Sequence, residues 1–214
     1  MTATRAFFLA GIMAAAGSQA ADLDFDKVFS TRGEARQLHY SATYVADGST
    51  HRLEVWRDGE QRLRRRTDDM LETHVFKPAR QMEWQMVVLD LPRKIRIDIE
   101  RTNLYRIGHF TDWFSMAHAL ARPAGQYRLT ALKQAPGTDT PVSTCRWYAL
   151  ERGGAVSNVC WSAQLRLPLL IADGSGKTQW RVTSASAAPL PRAAFALHDG
   201  GFVHNNANAD IQMD

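Results

Sequence analysis

The chain is poor in cysteine and poorer still in lysine. Two cysteines occur in 214 residues, Cys145 and Cys160, and no Cys-x-x-Cys pair is present, which excludes a dithiol redox centre and a zinc ribbon. Lysine supplies 5 of the 26 basic residues and arginine the other 21. No apolar run reaches the roughly 20 residues that a membrane-spanning helix needs. Seven histidines, at 39, 51, 74, 109, 118, 198 and 204, are scattered without a His-x-x-x-His spacing, so no metal and no cofactor is expected. No Gly-x-Ser-x-Gly elbow is found. Gly176-Lys177-Thr178 imitates the end of a phosphate loop, but the glycine required five residues earlier is Ile171, and the segment reads as a hairpin turn. With no catalytic motif, the chain is expected not to be an enzyme. A net charge of +4 is too small to demand nucleic acid.

What is present begins with an export leader. Arg5 precedes the apolar run Ala6 to Gly17, and Ser18-Gln19-Ala20 places small residues at the cleavage positions. Residues 1–20 therefore read as a signal peptide cleaved after Ala20, and a soluble periplasmic protein follows. Export implies an oxidising compartment. Cys145 and Cys160 flank the turn signal Glu151-Arg152-Gly153-Gly154. A hairpin centred between Arg152 and Gly153 sets the two cysteines opposite each other, so a disulfide is predicted.

Residues 21–198 read as one domain and 199–214 as a loosely ordered tail. Helical spacing over Phe25 to Leu38 is interrupted near Gly33. Alternating segments follow at His39–Val45, His51–Arg57, Gln61–Thr67, Met70–Phe76, Glu83–Asp90 and Lys94–Glu100, with Asp47-Gly48 and Asp58-Gly59 as turns. A helix is predicted over Thr111–Arg122, bounded by Pro123 and Gly125. Further strands are expected at Gln126–Lys133, in the cysteine hairpin, and at Gln164–Ile171 and Thr178–Ser184. The fold class read from this order is α+β: a curved antiparallel sheet, an incomplete barrel, wrapped around a few helices. Asp98 and Glu100 share a strand face with Lys94 and Arg96 and form a solvated ion-pair ladder. Arg62, Arg64 and Arg66 fall on one strand face and Leu63 and Arg65 on the other; the first three are candidate partner-binding residues.

Trp147-Tyr148-Ala149-Leu150, Cys160-Trp161-Ser162, Leu165-Arg166-Leu167-Pro168-Leu169, Gly176, Trp180-Arg181-Val182, Pro189-Leu190-Pro191 and Phe195 resemble the C-terminal portion of the periplasmic lipoprotein-carrier superfamily of LolA, LolB and RseB. That resemblance implies a hydrophobic cavity between sheet and helices, and hence a binding module for a lipid acyl chain or another apolar ligand, in lipoprotein or envelope lipid trafficking. The expected ligand-binding residues are Ile95, Ile97 and Ile99 from a strand and Trp113, Phe114 and Met116 from the mid-chain helix. The alternative is an envelope-stress or interaction module that docks an acidic protein or anionic headgroup through its Arg-rich strands.

Overall fold

The computed structural model describes residues 22–77, 84–100 and 113–207; the leader and the first two residues of the expected mid-chain helix lie outside them. Twelve strands form one sheet: β1 (Gln37–Ala46), β2 (Ser49–Asp58), β3 (Arg62–Thr67), β4 (Leu71–Phe76), β5 (Gln85–Asp90), β6 (Ile95–Glu100), β7 (Arg128–Leu132), β8 (Arg146–Arg152), β9 (Ala155–Ser162), β10 (Leu167–Asp173), β11 (Thr178–Ser186) and β12 (Val203–Asn206). Two short helices accompany them among the described residues, α1 (Phe25–Val28) and α2 (Trp113–His118).

The spatial order is β12-β6-β5-β4-β3-β2-β1-β11-β10-β9-β8-β7. Two antiparallel meanders, β1 to β6 and β7 to β11, are joined where β1 pairs with β11. β12 then adds to β6 in parallel, with Val203 opposite Ile95. The α+β class, with an all-antiparallel incomplete barrel wrapped around helices, is therefore corrected: the protein is mainly β, on an open mixed sheet. The reason lies in the helices. The N-terminal one ends after four residues, Gly33 turns at a φ of 76°, and Leu38 is already in β1. α2 stops at Ala119, whose φ of 52° breaks the helical path. Among the described residues, ten α-helical ones cannot form a covering layer. The segment read as a loose tail includes β12.

Turn chemistry sets the registers. Asp47 and Gly48 both take positive φ, 49° and 76°, as a two-residue hairpin turn requires, and they place Ala46 opposite Ser49. In the cysteine hairpin the left-handed pair is Gly153-Gly154, at 55° and 81°. The turn is thus centred one residue later than the sequence reading, and Cys160 faces Trp147, not Cys145. Cys145, just before β8, reaches Cys160 diagonally with the Cα atoms 5.4 Å apart, and the disulfide forms. The bridge closes a separation of 15 residues, for which chain entropy alone suggests roughly 3 kcal/mol. The Gly-Gly turn already restrains these strands, so replacing both cysteines with alanine is expected to cost about 1–2 kcal/mol. Unfolded without reductant, the protein should show no titratable thiol; two free thiols would contradict the bridge.

The core has two parts. The larger joins Leu38, Tyr40, Leu53, Val55, Leu63, Val75, Met86 and Met116 to Leu167, Leu169, Trp180 and Val182. The smaller is aromatic: Phe25, Phe29, Phe114 and Trp161, with Leu129, Leu150 and Val159. α2 sits astride both, with Met116 in the first and Phe114 in the second.

Candidate functional site: the inner face of the first meander

Strand alternation puts Leu38, Tyr40 and Ala42 of β1 on the core side, and pairing extends that face across the sheet. Tyr40 faces Val55, Val55 faces Arg65, Arg65 faces Thr73, Thr73 faces Val88 and Val88 faces Ile97. Near β1 this face is sealed: Tyr40, Leu53, Val55 and Leu63 are at most 1% exposed. Toward β6 it opens. Thr73, Val88, Ile95, Ile97 and Ile99 are only partly buried, and Leu71 is 45% exposed.

Three polar groups stand on or beside this strip without partners among the described residues. The Tyr40 hydroxyl and the Trp113 indole N–H are buried and make no hydrogen bond. Arg65 is partly buried and forms no ion pair; its charge acts on Tyr40, whose phenol is pushed up by burial while Arg65 and Arg57 oppose that shift. Buried donors left unpaired in a native fold call for a reason; here there are two, with the partly exposed Arg65 charge on the same face.

Of the six expected ligand-binding residues, Ile95, Ile97 and Ile99 line this strip. Trp113 and Ile99 pack on the larger core and Met116 is buried within it. Phe114 is in the aromatic cluster, 5.9 Å from the Phe25 ring. Tyr40 and Arg65 complete the strip; Arg65 shares its register with Leu63, so alternation alone places it inward.

α2 is held over the sheet by a buried polar knot. Arg57, fully buried, continues the inward register of Leu53 and Val55. Its Nη2 lies 3.2 Å from Glu34 Oε2, and its Nη1 donates to the Ala117 carbonyl at 3.4 Å. His118 Nδ1 is 2.7 Å from the Arg166 carbonyl; that oxygen only accepts, so Nδ1 carries the hydrogen. Nε2 then accepts from Arg57 Nη1 at 3.3 Å and lies 3.4 Å from Glu34 Oε2. Burial pushes the Glu34 carboxyl up against the pull of Arg57, and burial lowers the Arg57 guanidinium against the pull of Glu34. Sequence reasoning missed this knot.

The opposite face carries the Arg-rich strand. Arg64 is sandwiched: its guanidinium lies 4.5 Å over the Trp56 ring, donates to Glu72 at 2.6 Å and donates to the Ala194 carbonyl at 3.0 Å. His74 Nε2 lies 2.6 Å from the other Glu72 oxygen. Burial would raise the Glu72 pKa, but the hydrogen bonds from His74 and Arg64 outweigh it and bring it to about 2. Arg62 pairs with Asp58 at 2.5 Å and Arg66 with Asp69 at 3.2 Å. All three arginines are thus engaged by this chain's own carboxylates. The apparent phosphate loop is the β10–β11 turn, where Asp173 accepts from the backbone N–H of Ser175 and of Lys177.

Among the described residues no three His, Cys, Asp or Glu side chains gather as a metal site, and no helix is long and apolar enough to cross a membrane. No family model matches the chain, and no curated protein matches it. Among solved structures, the crystal structure of MucB is similar at a TM-score of 0.41 and 14% identity over 80% of this chain, which spans 60% of that protein's length.

Proposed function

We propose that this chain is an exported, non-enzymatic binding module that holds an apolar chain with an anionic head on the inner face of β3 to β6. One observation carries the reading: the buried Tyr40 hydroxyl and Trp113 N–H make no hydrogen bond, and Arg65 lies on the same inner face, which is only partly buried toward β6. An acyl chain along Val88, Ile95 and Ile97 would gain roughly 0.8 kcal/mol per buried methylene. Its carboxylate or phosphate would pair with Arg65 and supply an acceptor for the two unpaired donors. Export, and with it a place in envelope lipid handling, is part of the same reading and rests on the leader and the disulfide.

The test is titration with cis-parinaric acid, a fluorescent fatty acid. The wild-type protein is expected to bind it saturably. Arg65→Glu, at a position with no structural ion pair, should weaken binding by about tenfold with an unchanged circular dichroism spectrum, and Ile97→Asp should abolish it. A folded wild-type protein that ignores the probe contradicts the proposal.

A further inference from the structure

On the outer face, the chain after β11 crosses the first meander as a strap. The Leu190 N–H donates to Gln37 Oε1 at 2.7 Å, Arg64 holds the Ala194 carbonyl, and Asp199 pairs with Arg96 at 2.6 Å before β12 joins β6. Between strap and sheet lies a cavity of about 300 Å³, lined by Arg62, His74, Phe76 and Lys77 from the sheet side and by Phe195 and Leu197 from the strap. It lies over the outer face of β3 and β4, so it is separate from the inner-face strip.

We infer that this cavity is a second binding site, and that it takes a small aromatic carboxylate. The walls set the body of the ligand. Phe76, Phe195 and Leu197 offer two rings and a branched aliphatic group, and the volume is at the lower end for small-molecule sites and suits one fused ring pair. The rim sets its charge. Arg62 is fixed over the Phe195 ring at 4.5 Å by its pairing with Asp58. Lys77 is exposed and forms no ion pair among the described residues. His74 presents a ring of which only Nε2 is committed, to a Glu72 that stays ionised; its Nδ1 accepts when the ring is neutral and donates when it is protonated. No carboxylate lines the cavity. An apolar body fills the walls, and a single negative group meets Lys77.

The test uses 2-naphthoate as probe and 2-naphthalenemethanol as its uncharged counterpart, followed by calorimetry. The wild-type protein is expected to bind one 2-naphthoate. Leu197→Trp, which fills the cavity from the partly buried strap, should weaken binding by more than about tenfold. Lys77→Met, on an exposed side chain, should weaken 2-naphthoate by about threefold while leaving 2-naphthalenemethanol unchanged. Arg65→Glu, on the inner face, should leave 2-naphthoate binding intact. Absence of saturable binding to the folded wild-type protein overturns the inference. So does binding that survives Leu197→Trp, binding indifferent to Lys77→Met, or binding lost in Arg65→Glu, the last reassigning the probe to the inner face.

Discussion

Replacing Arg57 with alanine is expected to lower stability by about 3–5 kcal/mol, the range for breaking a buried ion pair by removing one partner. The guanidinium is fully buried and touches two separate stretches of chain: Glu34 before β1, and Ala117 and His118 at the end of α2. Its loss leaves the Glu34 carboxylate, 16% exposed, without its cation and opens a void as long as an arginine side chain. Arg57→Met, which refills most of that void, should recover part of the loss. Denaturant unfolding monitors both variants, as a shift of midpoint at constant slope. A loss below about 1 kcal/mol for Arg57→Ala would show that the knot does not hold α2 to the sheet.

Glu72→Gln is the second large effect. A carboxyl whose pKa falls from 4.5 to about 2 on folding contributes about 3 kcal/mol at neutral pH. The sign follows from the depressed value: the contribution is complete above pH 4.5 and is lost as pH falls toward 2. The stability gap between wild type and Glu72→Gln should therefore be about 3 kcal/mol at pH 7 and close between pH 4.5 and 2. Because Arg64 also holds Ala194, amide exchange in the 192–206 segment should accelerate in the variant. A gap independent of pH would assign the cost to shape and not to charge.

Most of the sheet is legible in the sequence because its strands alternate and its turns carry Asp-Gly or Gly-Gly. Ile95, Ile97 and Ile99 read as one face, and they form one. Arg65 reads onto the Leu63 face and is found there. Three features were not legible, each for a physical reason. The helical spacing of Phe25 to Leu38 is genuine at its start, but the positive φ at Gly33 and the pairing of Leu38 with Arg57 are tertiary decisions that override local periodicity. The register of the cysteine hairpin depends on which pair in Arg152-Gly153-Gly154 takes the left-handed conformation, and only the two glycines do so without strain. The parallel addition of β12 to β6 joins segments more than a hundred residues apart in a stretch rich in Asn, Asp and Gly, whose composition gives no strand signal. Arg57 carried a signal that could have found it: it extends the inward alternation of Leu53 and Val55, and an arginine in that register must be paired or open to water.

The central claim, that the strip from Arg65 to Ile97 is the binding face, is tested most directly by methyl NMR of isoleucine-labelled protein titrated with palmitate. The account predicts saturable shifts for Ile95 and Ile97, smaller ones for Ile99, little change at Ile171 in the second meander, and a titration midpoint about tenfold higher in Arg65→Glu. Unshifted isoleucine signals at saturating palmitate, or shifts confined to Ile171, would contradict it.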